Sequence, residues 1–151
     1  MIPTDKDLWF LPLGGCGEIG MNLNLFGHNG SWLMVDCGIT FEDSVTSRTG
    51  NRVEMPDPLF IANRHEALAG IIATHAHEDH VGAVAHFWQD LGAPVYARAF
   101  TANIARRKME EMGHPGRVVQ TVSAWPAKTE AGPFSVGFLP ISHSIPESSG
   151  L

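Results

Sequence analysis

Hydrophobic and polar residues alternate in several short stretches of the chain, a pattern typical of strands with one buried face. Residues 8–13 are apolar and lead into a glycine-rich stretch, which predicts a strand followed by a tight loop. Residues 21–26 and 31–36 flank the turn-forming sequence Gly-His-Asn-Gly and predict a β-hairpin. Residues 68–73 are apolar and partly β-branched, and they predict a buried strand.

Later in the chain, strand-like patterns alternate with helical ones. The predicted helices cover residues 58–68, 81–91 and 100–112, and the remaining predicted strands cover 95–97, 117–122 and 134–141. Residues 40–57 are polar and lack periodicity, which indicates a long loop. This order of elements predicts an α/β fold with mixed sheets. The final residues have the pattern of another strand beginning, so we expect the chain to be a fragment of a longer protein.

The composition indicates one domain with an acidic balance. The chain has 151 residues, enough for a real core, and a net charge of −6. Phosphate contacts need clustered basic residues, so this charge argues against binding nucleic acid by bulk electrostatics. The basic residues 106–108 are followed by two glutamates, which is typical of a solvated helix face.

The beginning of the sequence and the cysteine content bear on location. The first residues lack the basic and apolar regions of a signal peptide, and no apolar run approaches the roughly 20 residues that span a bilayer. We therefore expect a cytoplasmic protein that does not enter a membrane. Cys16 and Cys37 form no disulfide framework and are expected to be reduced thiols, either of which could lie near a metal site.

Residues that can bind metal are concentrated directly after the predicted strand 68–73. His75 and His77 alternate along an extended chain and therefore face one point, and Asp79 and His80 follow where the chain turns into a helix. Imidazole and carboxylate donors suit Zn²⁺ well, and Mn²⁺ or Fe less specifically. Four donors are too many for one tetrahedral ion with an open position, which suggests two metals about 3.5–4 Å apart.

Two further residues at strand ends are candidates for this site. His143 follows the predicted strand 134–141 and repeats the arrangement of the first cluster, so it is the next candidate ligand. Asp36 ends the predicted hairpin and either forms a turn or orients a ligand histidine. The other histidines are predicted to lie on an exposed turn, on helices or in a loop, away from the metal: His28, His65, His86 and His114.

The glycine-rich stretch is not predicted to bind a nucleotide. Residues 14–20 contain four glycines but neither the dinucleotide fingerprint nor the lysine of a P-loop. The glycines are instead expected to allow a sharp turn or a close approach of the backbone to the metal site.

Residues 75–80 (His-Ala-His-Glu-Asp-His) resemble the signature of the metallo-β-lactamase superfamily, whose fold is an αββα sandwich with a metal site at one edge. Residues 13–22 and 35–38 look like the opening of the ribonuclease J family. Residues 143–148 are similar to that family's third metal motif, and residues 74–84 to its version of the histidine cluster. The resemblance covers nearly the whole chain.

This resemblance implies a ribonuclease that degrades and processes RNA as a 5′–3′ exonuclease and as an endonuclease. It also implies two zinc ions, one held by three histidines and the other by an aspartate and a histidine: His75, His77 and His143, then Asp79 and His80. Asp36 would match an acid near the site that is not a direct ligand. Residues 1–151 would form the N-terminal part of a metallo-β-lactamase-like domain.

Other parts of the ribonuclease J family have no counterpart in this sequence. They are a metal-bridging aspartate, a later histidine ligand, the β-CASP domain that grips RNA and the C-terminal region. We therefore expect RNA to bind mostly through regions outside this chain, which alone could be inactive. The full-length protein could form a homo-oligomer or join an RNA-degrading assembly.

The predicted chemistry is hydrolysis by a water that two zinc ions activate. Hydroxide formed near neutral pH would attack phosphorus in line. Asp79 is a candidate acid/base as well as a ligand, and His80 is assigned with it to catalysis. Two alternatives stay open: a related metallohydrolase acting on a thioester, a lactone or DNA, or a non-catalytic fragment or scaffold.

Overall fold

The computed structural model describes residues 2–41 and 52–151, and a six-stranded mixed sheet lies at its centre. The described strands are β1 (Trp9–Gly14), β2 (Leu23–His28), β3 (Ser31–Val35), β4 (Thr40–Phe41), β5 (Val53–Glu54), β6 (Leu68–Ala73), β7 (Val95–Ala97), β8 (Val119–Thr121), β9 (Lys128–Ala131), β10 (Phe134–Gly137), β11 (Leu139–Pro140) and β12 (Ser149–Gly150). The described α-helices are α1 (Leu59–Ala62), α2 (Glu78–Val81), α3 (Val84–Leu91) and α4 (Ala99–Glu111), with short 3₁₀ turns at His65–Ala67 and Gly116–Val118.

The topology of the large sheet brings several strand ends to one edge. Its strand order is β1-β2-β3-β6-β7-β8. The first three strands are antiparallel neighbours, and β3, β6, β7 and β8 run parallel to one another. The carboxyl ends of β3, β6 and β7 therefore meet, as parallel strands require, at the edge where the candidate site lies.

Each face of this sheet packs against a different layer. Met34 and Ile71 point into a core formed with the helices, whereas their neighbours Leu33 and Ile72 point into a core formed with the β9–β10 hairpin. This alternation buries apolar side chains on both faces, as expected for an internal sheet. The prediction of an α/β fold with a mixed sheet is confirmed. Within the described residues, the large sheet lies between a layer of helices and the β9–β10 hairpin.

Several element boundaries differ from the sequence-based prediction. The helix predicted over 81–91 begins earlier, at Glu78, and is divided at Gly82 and Ala83 into α2 and α3. The predicted helix 58–68 is only α1 and a 3₁₀ turn. The strand β9 was missed because its Lys-Thr-Glu-Ala sequence has little apolar character. Of the predicted loop 40–57, the flanks pair as β4 and β5, and residues 42–51 lie outside the described part.

A glycine after β3 allows the backbone of the turn that begins α2 to approach the sheet. A Cβ on Gly38 would collide with the carbonyl group of Asp79 and with the backbone nitrogen of His80. The neighbouring amides Cys37 N and Ile39 N donate to His80 O at 2.8 Å and Glu78 O at 2.9 Å. The backbone of residues 78–80 is thereby held against the segment that follows β3.

Candidate metal centre

Three histidines from two distant parts of the chain converge at the carboxyl edge of the sheet. His75 and His77 follow β6, and His143 lies after β11. Nitrogen atoms of the three rings all lie within 4.8 Å of one another. The ring centroids are 4.8–4.9 Å apart. The structure thus brings together residues that the sequence places 66 positions apart.

The donor set of this cluster fits a metal ion. The Nε2 atom of His75 is buried and has no hydrogen-bond partner, which is costly for a polar atom unless something outside the chain binds it. His143 Nε2 lies 3.1 Å from His77 Nδ1. Two nitrogens bound to one tetrahedral ion at roughly 2.0–2.1 Å lie about 3.3 Å apart, close to this separation. The three histidines can therefore hold one ion.

The electrostatic environment keeps His75 neutral. Burial lowers the pKa of its ring, the neighbouring His80 ring lowers it as well, and the charge of Asp36 offsets these effects only in part, so the net pKa is about 4. At neutral pH the imidazole has no proton on one nitrogen, and metal binding requires the neutral ring. A metal ion therefore does not compete with a proton at this ligand.

The predicted second donor pair, Asp79 and His80, lies beside the three histidines. Both residues lie in the four-residue helix α2. His80 Nε2 lies 3.4 Å from Asp79 Oδ2, and the His80 ring centroid lies 4.0 Å from that of His75. All five predicted ligand residues are thus neighbours, although the compact three-histidine group does not include this pair.

The carboxylate of Asp36 contacts His80, one of the predicted ligand histidines. The backbone of Asp36 is left-handed, with φ of 61°. Its Oδ2 lies 2.7 Å from His80 Nδ1, and its Oδ1 accepts the Thr74 amide at 2.8 Å. Thr74 Oγ1 also donates to this carboxylate. Asp36 therefore directs His80 Nε2 toward Asp79 and ties the end of β3 to the residue before His75.

The pKa of His80 reflects this pairing. Burial alone lowers the pKa of the ring, but the hydrogen bond and the negative charge of Asp36 raise it more, so the net shift is upward. The carboxylate of Asp79 acts in the same direction. Asp36 is buried, so its interaction with His80 is weakly screened by water.

Asn22 contacts the same donor pair and was not identified from the sequence. Its side-chain amide donates to Asp79 O at 3.0 Å and lies 3.4 Å from Asp79 Oδ2 and 3.3 Å from His80 Nε2. Its backbone amide also donates to Asp79 O. Asparagine at the end of a glycine-rich stretch is common in turns, so composition and spacing give no signal for this role.

The glycine-rich stretch turns sharply, as predicted. Gly15, Gly17 and Gly20 all have positive φ. A Cβ on Gly15 would overlap Asn22, so the turn also allows the backbone to pack closely against that residue. Through Asn22 the stretch reaches the donor pair of α2.

The remaining histidines lie away from this centre, but one differs from its prediction. His28 was expected on an exposed turn tip, whereas it is half-buried at the end of β2 with Nδ1 2.7 Å from Asp7 O. His65 and His86 are exposed on helical turns, and the His114 ring packs on Trp88. None of these histidines belongs to the metal-ligating group found among the described residues.

The two cysteines are free thiols and also lie outside that group. Cys37 is fully buried in the helix-facing core, and this burial raises the pKa of its thiol strongly. A thiol that stays protonated is a poor metal ligand, because the thiolate is the binding form. Cys16 is exposed in the glycine-rich stretch with its sulfur 3.8 Å from Asn24 Oδ1.

In the described ranges, 2–41 and 52–151, every helix is too short or too polar to cross a lipid bilayer.

Residues 20–143 match the family profile described as the metallo-beta-lactamase superfamily. The matched range includes the histidine cluster and ends on His143. The chain belongs to the metallo-β-lactamase superfamily. The mixed sheet with helices on one face and a hairpin on the other agrees with that assignment, as does a cluster of metal-binding residues at the sheet edge.

Curated relatives within the superfamily carry the name ribonuclease J. The chain is 42% identical over 151 residues to Ribonuclease J of Sinorhizobium meliloti, with 97% of this chain and 26% of the relative covered. It is 34% identical over 143 residues to Ribonuclease J of Synechocystis, with 93% of this chain and 22% of the relative covered. The chain thus spans about a quarter of the length of these relatives.

Solved metallo-β-lactamase-fold structures share the architecture at low sequence identity. The SMB-1 metallo-β-lactamase in complex with mercaptoacetic acid has a TM-score of 0.59 at 19% identity, with 98% of this chain and 55% of that chain covered. YhfI from Bacillus subtilis has a TM-score of 0.56 at 20% identity, with 90% of this chain and 54% of that chain covered. These likenesses concern the fold alone.

Proposed function

We propose that the chain forms part of the metal centre of a zinc-dependent ribonuclease that hydrolyses RNA phosphodiester bonds. The observation that carries the proposal is the convergence of His75, His77 and His143, with an unpartnered buried nitrogen on His75. The name of the relatives, ribonuclease J, supplies the substrate class. An enzyme of the metallo-β-lactamase superfamily with such a centre is expected to be a hydrolase.

The proposal assigns each residue of the centre a role. The three converging histidines bind one zinc ion. Asp79 and His80 bind a second, for which their adjacent donor atoms and the orienting contact from Asp36 provide support. Zinc is preferred over other metals because the donors are imidazoles with a carboxylate, a combination common in catalytic zinc sites.

The chemistry follows from this donor set. Bound divalent cations lower the pKa of a coordinated water to near neutrality and neutralise negative charge on a phosphoryl group. Asp79 is partly exposed beside His80, where its carboxylate can accept a proton. His80 has its Nδ1 held by Asp36, which fixes the tautomer and leaves Nε2 facing the centre.

RNA contacts are proposed to come mostly from regions of the whole protein outside these 151 residues. The chain has a net charge of −6, which disfavours phosphate binding except at a cation-loaded site. Both 5′–3′ exonuclease and endonuclease activity belong to this proposal, as do a cytoplasmic location and a homo-oligomer or RNA-degrading assembly. These attributes of the whole protein stay predictions.

Metal content measured on purified chain tests the centre. We expect stoichiometric zinc after dialysis against trace zinc, and loss of that zinc in the His77→Ala variant. His86→Ala is the matched control, because His86 is exposed on α3 and outside the cluster. Equal zinc content in the parent chain and in His77→Ala would contradict the proposed ligand set.

The substrate class is tested in a chimaera in which this chain replaces the matching quarter of the Sinorhizobium meliloti relative. We expect the chimaera to cleave 5′-monophosphorylated RNA, to leave a thioester intact, and to lose cleavage with His77→Ala but not with His86→Ala. The unmodified relative is the positive control. Thioester hydrolysis without RNA cleavage would instead support a different hydrolase of the superfamily.

A further inference from the structure

His143 reaches the metal cluster from a segment without regular structure. Residues 141–148 form no strand or helix, and His143 itself is exposed. Its ring nevertheless lies 4.8 Å, centroid to centroid, from both other rings of the cluster. His75 is buried and lies two residues after the end of a central strand, so the sheet fixes its position. The position of His143 must be fixed by contacts that its own segment makes elsewhere.

The carboxylate of Glu147 joins this segment to the region where α4 begins. Glu147 Oε1 lies 3.0 Å from Arg98 Nη2, and Oε2 accepts the Phe100 amide at 2.6 Å. Arg98 is the residue before α4, and no side chain of that turn caps the helix itself. Glu147 therefore supplies the missing cap from 47 residues away and adds a charge that the helix N-terminus favours.

The backbone of Glu147 supports a specific role for this side chain. Its φ is 59°, in the left-handed region that non-glycine residues other than Asn and Asp seldom occupy. Such a conformation costs free energy and persists where the surrounding contacts impose it. The contacts that Glu147 makes from this conformation are those of its carboxylate with Arg98 and with the start of α4.

The other end of the segment is tied to the first ligand stretch. Ser149 N donates to Thr74 O at 3.2 Å, and Ile141 N donates to Ser148 O at 3.0 Å. Thr74 directly precedes His75, and its own amide is held by Asp36. Residues 141–149 thus form a loop closed on itself, joined to Thr74 after β6 on one side and to the start of α4 on the other.

We propose that Glu147 is a positioning residue that holds His143 at the metal centre by anchoring its loop to Arg98 and the N-terminus of α4. The inference rests on the proposed role of His143 as a metal ligand. Neutralising Glu147 leaves a largely buried guanidinium without its counter-charge, so the loop loses its anchor while His143 stays chemically intact. Changes around metal ligands of this kind cost about 10- to 100-fold in metal affinity.

The test is a double-mutant cycle on zinc affinity of the 151-residue chain, measured by competition with a chromophoric chelator. Glu147→Gln keeps the shape and removes the charge, and we expect it to weaken zinc binding by about 10- to 100-fold. In the His143→Ala background the same change should have no further effect, because the positioned ligand is already gone. The visible spectrum of the Co²⁺-loaded Glu147→Gln chain should shift toward that of His143→Ala.

Control variants separate the anchor from general stability. Glu111→Gln alters an exposed glutamate at the end of α4 and should bind zinc as the parent chain does. Glu147→Asp retains the charge on a side chain too short to reach both partners, and it should also weaken binding. Far-UV circular dichroism and thermal melting of each variant report folding.

Three results would overturn the inference. If Glu147→Gln binds zinc like the parent chain while His143→Ala does not, the anchor is refuted and the proposed metal site stands. If Glu147→Gln weakens zinc binding equally in the parent chain and in the His143→Ala background, then Glu147 supports the fold in general and does not position His143. If His143→Ala leaves zinc affinity unchanged, the proposed ligand set and the inference fail together.

Discussion

Single side chains from distant parts of the chain contact the predicted ligand stretch, residues 74–80. Asp36 contacts His80 through one oxygen and the amide of Thr74 through the other, so one carboxylate joins the two ends of this stretch. Asn22 adds contacts to Asp79 and His80 from a third part of the chain. The ligands therefore depend on a surrounding set of polar contacts, as is usual for metal sites.

The interaction of Asp36 with His80 predicts a pH-dependent loss of stability on mutation. In metal-free chain the folded-state pKa of His80 is raised above its ordinary value of 6.5. The stabilisation by this pair is therefore fully present below about pH 6.5 and is lost as the pH rises through the folded-state pKa. The Asp36→Asn variant should lose about 1–3 kcal/mol of unfolding free energy at low pH and less at high pH.

The free energies of unfolding of the parent chain and of Asp36→Asn can be compared by urea unfolding in chelator at a series of pH values. Part of the loss is expected to persist at high pH, because Asp36 also accepts hydrogen bonds from Thr74. A difference that grows as the pH rises would contradict the pairing.

The contacts of Asn22 with the donor pair lead to a second prediction, which concerns zinc affinity. Asn22→Ala removes the side-chain donor to Asp79, so the turn of α2 should loosen and zinc affinity should fall by about 10- to 100-fold. Asn103→Ala is the matched control, because Asn103 is exposed on α4. Chelator competition on the two variants decides the matter, and equal affinities would exclude a role for Asn22 in holding the donor pair.

Sequence reasoning picked out the candidate metal-binding residues, but it did not pick out Asn22 and Glu147. A dense run of histidines at a strand end is typical of a metal site, so His75, His77 and His80 stand out by spacing alone. Asn22 and Glu147 act through contacts 57 and 47 residues away. An asparagine in a glycine-rich turn and a glutamate in a proline-containing loop are ordinary locally, so only the folded chain reveals these contacts.

At the scale of elements, the short helix α2 owes its position to the segment after β3. Backbone hydrogen bonds join Cys37 and Ile39 to the turn that begins α2, and Gly38 lets the two backbones touch. The sequence predicted one helix over 81–91 because apolar periodicity starts there, whereas the polar residues 78–80 already have helical backbone. Tertiary contacts, rather than periodicity, set where this helix begins.

Adding a single methyl group at Gly38 is expected to destabilise the fold. Gly38→Ala places a Cβ on the backbone of Asp79, and because backbone cannot move aside cheaply we expect at least about 1–3 kcal/mol of destabilisation and weakened zinc binding. Gly150→Ala is the control, since a Cβ there meets only Ile141 at an ordinary 3.7 Å. Thermal melting measures the stability of each variant, and metal analysis measures its zinc content. A Gly38→Ala chain as stable as Gly150→Ala would refute the close packing.

At the scale of the whole molecule, the candidate metal centre draws its histidines from two different layers of the fold. The first ligands follow a central strand of the large sheet, and His143 follows the β9–β10 hairpin side of the fold. An ion bound by both closes a long loop between them. Metal binding should therefore stabilise the whole fold and not only the site.

Zinc is predicted to raise the melting temperature. At a free zinc concentration of 100 times the dissociation constant, the stabilisation is about 2.7 kcal/mol. Calorimetry in chelator and in buffered zinc measures this shift, which should shrink in His143→Ala and persist in His86→Ala. An equal shift in the His143→Ala chain would mean that the ion does not link the two layers.

The three imidazoles of the cluster differ in exposure, from buried His75 through half-buried His77 to His143 in contact with solvent. A chelator that approaches from solution meets the outermost ring first. We therefore expect ion exchange to begin when His143 dissociates from the ion, at a rate set by the movement of residues 141–148 away from the cluster. The rate at which the bound ion dissociates would then depend on the loop and its Glu147 anchor. It would not depend on how tightly His75 and His77 bind the ion.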